Sequence, residues 1–133
     1  MRSGAIAICV LVAGCSLQTT ALPLPTAERV CAVRVVWKDS DARSHEREVA
    51  DPSEGQAICA QLRSLNTHWL AQYGPDDDHQ ITVYVRAEEG LIGFWIGPDW
   101  MSASLPGELV LAKRYRRLSS EERAALEAVL VPQ

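Results

Sequence analysis

From Arg29 onward apolar and polar residues alternate: Cys31, Val33, Val35 and Trp37 fall on one side, Ala32, Arg34 and Lys38 on the other. A period of two sends successive side chains to opposite faces of an extended chain, so this stretch is a strand with Cys31 on its apolar face. Asp39-Ser40-Asp41 makes a turn, after which Arg43–Val49 is a candidate polar edge strand. The period then changes. Asp51-Pro52-Ser53-Glu54 offers an N-cap acceptor, a proline at the first helical position and a glutamate able to reach back. Ile58, Leu62, Leu65 and Trp69 recur at spacings of four, three and four, which predicts one long helix with a single buried stripe. Cys59 lies at the edge of that stripe, and Gly74-Pro75 ends the helix.

After the loop Asp76-Asp77-Asp78-His79, Gln80–Arg86 alternates again, with Ile81, Val83 and Val85 in phase. Glu88-Glu89-Gly90 turns the chain into a second strand, Leu91–Ile96, completing a hairpin. Leu109–Tyr115 reads as the last strand, with Trp100–Ser104 a candidate for a short additional one before the Leu105-Pro106-Gly107-Glu108 turn. Ser119-Ser120-Glu121-Glu122 is a capping box that opens a helix with Leu126, Val129 and Leu130 on its apolar side. The order strand, edge strand, helix, strands, helix implies an α+β fold. The expected architecture is a curved antiparallel sheet of four to five strands, the long helix across one face, and a short C-terminal helix.

Residues Gly4–Ala13 form an uncharged run after Met1-Arg2-Ser3, about the length of a signal-peptide core and short of the roughly 20 residues that span a bilayer. The run closes on Val12-Ala13-Gly14-Cys15. This motif resembles the lipobox of bacterial lipoproteins. The resemblance implies cleavage between Gly14 and Cys15, a palmitate-type lipid modification of Cys15, and anchoring to a membrane. Ser16 in place of an aspartate resembles lipoproteins sorted to the outer membrane, with the domain on its periplasmic side. Acyl chains stabilise membrane attachment by about 0.8 kcal/mol per buried CH₂, so two or three of them hold a protein firmly. The expected organisation is a signal peptide at 1–14, a lipidated tether at 15–28 with two prolines, and a single domain at 29–133. That domain also resembles other small α+β lipoprotein domains in architecture, a likeness that carries no activity with it.

The formal charge of −4 becomes one unit more acidic once Arg2 is removed, which argues against a nucleic-acid partner. Of the four cysteines, Cys9 leaves with the leader and Cys15 carries lipid, so Cys31 and Cys59 remain as a pair bound for an oxidising compartment. A Cys31–Cys59 disulfide is expected, worth roughly 3–4 kcal/mol on the chain-entropy model.

Candidate chemistry is sparse. Asp76-Asp77-Asp78-His79 lacks the alternate-position spacing of a calcium loop and reads as a solvated turn, so no metal and no cofactor are expected. His45, His68 and His79 fall on separate elements, and no serine sits in a nucleophile elbow, so no catalytic residues are assigned. Phe94 and Trp95 are adjacent on a strand and cannot share a face, which leaves one aromatic outside the core. That outer face is either a partner surface or is covered by the C-terminal helix. In the basic cluster Lys113, Tyr115 and Arg117 share one side. Trp95 and Trp100 with Lys113, Tyr115 and Arg117 are therefore the candidate partner surface. The functional expectation is a non-enzymatic lipoprotein that binds an envelope protein. The alternatives are an inhibitor or immunity protein against a cell-wall hydrolase or toxin, and a small hydrolase.

Overall fold

The computed structural model describes residues 21–70, 79–106 and 114–132. Six strands form one antiparallel sheet: β1 (Val30–Lys38), β2 (Ser44–Val49), β3 (Ile81–Ala87), β4 (Gly90–Ile96), β5 (Trp100–Ser104) and β6 (Arg114–Arg117). Their spatial order is β2-β1-β3-β4-β5-β6. The expected curved sheet of four to five strands is thereby corrected. The sheet is open, with β2 and β6 at opposite ends and, among the described residues, no pairing that closes it. Its extra width comes from the two segments the pattern left open, 44–49 and 100–104, both of which pair in full, with β1 and β4.

Register explains which face is apolar. Arg47, Val35, Val83, Phe94 and Ala103 form one continuous cross-strand row, and Trp37, Ile81, Ile96, Met101 and Arg116 form the next. The apolar members of these rows, all but the half-buried Trp37, are fully or nearly fully buried. Two helices cover this side, α1 (Pro52–Ser64) and α2 (Ser120–Leu130), and they pack against each other. Ile58 and Leu62 of α1 and Leu126 and Leu130 of α2 complete the core with Leu65 and Trp69. Asp51 caps α1 by accepting the Ser53 N–H, with Pro52 at the first helical position. Ser119 and Glu122 form the reciprocal capping box of α2.

The long helix expected from Asp51 to Gly74 is shorter: α1 stops at Ser64. Trp69 stays in the core, but through an irregular turn, with His68 at φ 59° and Leu70 bridging to Tyr115 beside β6. Asn66 causes much of this. Its side chain accepts the Leu22 N–H and the Trp69 indole N–H and donates to the Leu22 carbonyl. Those bonds pin buried Leu22 to the end of α1, so the described end of the expected tether is docked on the domain.

Two arginines lock the helices at both ends. Arg116 of β6 is buried and points to the helix side, where every part of its guanidinium is partnered. It donates to the carbonyls of Arg117, Leu65 and Thr67 and pairs with Glu122 at 2.8 Å. Arg47 of β2 mirrors it at the other edge, donating to the Val129 and Leu130 carbonyls and pairing with Glu54. Each arginine thus joins the carbonyl end of one helix to the acidic first turn of the other, so the helices run antiparallel. Carbonyl ends carry partial negative charge and acidic first turns are negative outright, so a cation between them is doubly favoured.

A buried charge stripped of its partner costs about 3–5 kcal/mol. Arg116→Ala removes the cation and leaves Glu122 with only its cap bonds, so its loss is expected to be about 3 kcal/mol in urea unfolding. Arg47→Ala, at a more exposed site, is expected to cost about 1 kcal/mol. Equal losses would show that burial does not rank the two clamps.

The Glu122 carboxyl titrates below its ordinary value, chiefly because it accepts the Ser119 backbone N–H and also because Arg116 lies beside it. A lowered folded pKa means that the unfolded chain binds the proton more readily, so the contribution is complete above the ordinary carboxylate range. It is lost as the pH falls from about 4.3 through the lower folded value. Denaturant unfolding across this range should show stability falling with acid, with a shallower fall in Glu122→Gln.

Candidate functional site

The face opposite the helices carries the other members of each strand. Row by row across the sheet they are Glu46, Val36, Thr82, Trp95, Ser102 and Tyr115; then Glu48, Arg34, Tyr84, Gly93 and Ser104; then Ala32, Arg86 and Leu91. Neither helix covers this face. The expectation that the C-terminal helix lies across it is corrected: Leu126 and Leu130 need an apolar partner, and they find it beside α1.

The candidate partner residues separate in the structure. Phe94 enters the core, and Trp95 takes the outer face, half-buried. A Cβ on Gly93 would lie 2.7 Å from the Trp95 ring, so the indole occupies the space a side chain would take at this glycine. Trp100 is buried in the same way, its indole nitrogen 2.2 Å from where a Gly97 Cβ would be. Trp100 and Tyr115 stack with centroids 6.3 Å apart, and Tyr115 is buried too. Arg117 is exposed and pairs with Asp99 at 3.2 Å. Lys113 lies outside the described residues, as do Gly14, Cys15 and Asp76-Asp77-Asp78. The structure therefore brings Trp100, Tyr115 and Arg117 together, but as a packed corner of the sheet.

What stays open is the other half of the face, around β1, β3 and the start of β4. Ala32, Arg34, Glu48, Tyr84, Arg86 and Leu91 line a shallow groove of about 280 Å³. Arg34 lies 4.8 Å above the Tyr84 ring and pairs with Glu46 at 3.1 Å, which holds both guanidinium and phenol in place. Leu91 is 52% exposed beside Arg86, its cross-strand neighbour. None of these residues was singled out as a site in the sequence. The signal was present in the phase: Leu91 falls out of step with Ile92, Phe94 and Ile96, and Tyr84 and Arg86 fall out of step with Val83 and Val85.

The Cys31–Cys59 disulfide is corrected as well. Both thiols are free, Cys31 exposed and Cys59 buried. The reason is a β-bulge. Val30 pairs with Ala87 and Ala32 with Arg86, so Cys31 is the extra residue and Val30 takes the core-side position. The alternation that placed Cys31 on the apolar face fails at that one residue. Burial also raises the Cys59 thiol pKa. Maleimide added to the native chain should therefore label Cys31 rapidly and Cys59 only after unfolding, as read by peptide mass spectrometry. Native protection of both thiols would restore the bridge.

Of the histidines, His45 meets Asp39 at 2.7 Å, His68 is exposed, and His79 is half-buried. Among the described residues no three His, Cys, Asp or Glu side chains come together to hold a metal ion, and no helix is long and apolar enough to cross a membrane. The chain matches no protein-family model, no curated protein and no solved structure. No lipoprotein or membrane assignment comes from those comparisons, so the leader's resemblance stands on Val12-Ala13-Gly14-Cys15 alone.

Proposed function

We propose that the chain is a non-enzymatic binding domain of the bacterial envelope, tethered by lipid on Cys15 at the periplasmic side of the outer membrane. It meets a protein partner through the uncovered sheet face. The observation that carries this reading is the pairing of exposed Leu91 with Arg86, for which no hydrogen bond or ion pair forms among the described residues. An apolar side chain beside a guanidinium with no partner among the described residues is an unused combination, able to bury area and fix orientation together. The leader supplies the address, and the open face supplies the contact.

Two measurements separate these parts. Cys15→Ala should abolish lipid labelling and release the chain from membranes. A photocrosslinker at Leu91 in the native envelope should capture a defined protein, and Arg86→Glu should weaken that capture by about tenfold. The same crosslinker at Ala57, on the exposed side of α1, should not capture it. Capture that is equal from both positions would reject the face. If the captured protein is a cell-wall hydrolase that loses activity, the binding domain is an inhibitor.

A further inference from the structure

A second concavity lies on the helix side of the sheet, away from the partner face, where the β1–β2 turn approaches α2. It has a volume of about 410 Å³ and is lined by Trp37, Lys38, Asp39, Gln80, Arg123 and Glu127, among others. That is within the size range of small-ligand sites, roughly 300–1,000 Å³. Its walls are built from side chains already held in place. The half-buried Trp37 ring stacks on His45 with centroids 5.5 Å apart and 19° between planes. The Asp39 carboxylate accepts the N–H groups of Asp41 and Arg43 at 2.9 and 3.0 Å, and meets His45 on its other oxygen. Arg123 donates to the Gly97 carbonyl, to Glu127 and to the Gln80 side-chain oxygen, the last at 2.7 Å. That bond orients the Gln80 amide and leaves its NH₂ as a donor.

The charges of the lining balance, Lys38 and Arg123 against Asp39 and Glu127. An anion would meet two carboxylates and a cation two positive groups, whereas a neutral polyhydroxylated ligand finds fixed donors and acceptors together. The indole adds a flat apolar surface of the kind on which the C–H face of a sugar ring stacks. We propose that this groove binds a neutral saccharide, with Trp37 as the stacking surface and Asp39, Gln80 and Arg123 as its hydrogen-bonding groups. Because these groups are fixed before binding, little ordering entropy opposes the association.

The test is an NMR titration of the full isotope-labelled chain. Its probes are a β-1,4-linked N-acetylglucosamine tetramer, maltotetraose and inorganic phosphate. Each of the four tryptophans carries one indole N–H, so once assigned the groove reports directly through Trp37 and the opposite face through Trp95. A saccharide should move the Trp37 indole, the Gln80 side-chain amide and the Arg123 Nε–H while leaving the Trp95 indole in place. The two sugars show whether an acetamido group is needed. Trp37→Ala should weaken binding by about tenfold or more, with part of the affinity retained in Trp37→Phe. The proposal is overturned if neither sugar moves these signals, if phosphate moves them more strongly, or if Trp37→Ala binds undiminished. The wild-type titration is decisive even where that variant fails to fold.

Discussion

The structure depends on two arginines at the sheet's outer edges. Arg116 and Arg47 stand on the buried side of β6 and β2, at the ends of rows whose inner members are apolar, where a charge would be costly without compensation. Compensation comes from the helices themselves. Each cation occupies the gap between one helix's carbonyl end and the other's glutamate, which fixes the helices antiparallel and ties both to the sheet. Because the clamps sit at opposite edges, the helix pair is held across the full width of the sheet.

That arrangement decides where function can lie. With both helices committed to one side, the opposite side has no cover from secondary structure among the described residues, and its exposed half carries Leu91, Arg86 and the Arg34–Tyr84 pair. The half toward β6 is closed differently, by indole rings laid over Gly93 and Gly97 and by the Trp100–Tyr115 stack. Aromatic side chains over glycines shield backbone that has no side chain of its own, so a cluster of tryptophans here marks packing. The open ground belongs to residues with less conspicuous chemistry.

Local signals were legible wherever they acted within a few residues. The Asp51-Pro52 cap, the Ser119–Glu122 box, the β3–β4 hairpin and the alternation of Val33 and Val35 are short-range features, and each appears where the pattern puts it. The end of α1 was not legible. The stripe Ile58, Leu62, Leu65, Trp69 is satisfied equally by a helix and by a helix followed by a turn, and Asn66 chooses through its bonds to distant Leu22. The Cys31 bulge was hidden for a related reason: one inserted residue leaves the run of β-formers intact while changing the face of a single side chain.

The sequence by itself determined the strands, the caps, and which residues share a face, because these follow from backbone geometry and hydrogen bonds between near neighbours. Tertiary structure alone decided the sheet's width and openness, the placement of α2 beside α1, and the free state of the two thiols. Each of these depends on groups far apart in the chain, as when Arg116 reaches Leu65 or Arg47 reaches Leu130. No periodicity encodes such a meeting. The candidate site follows the same division, since phase puts Leu91 and Arg86 outside the core, and only the choice of side made by the helices leaves them uncovered.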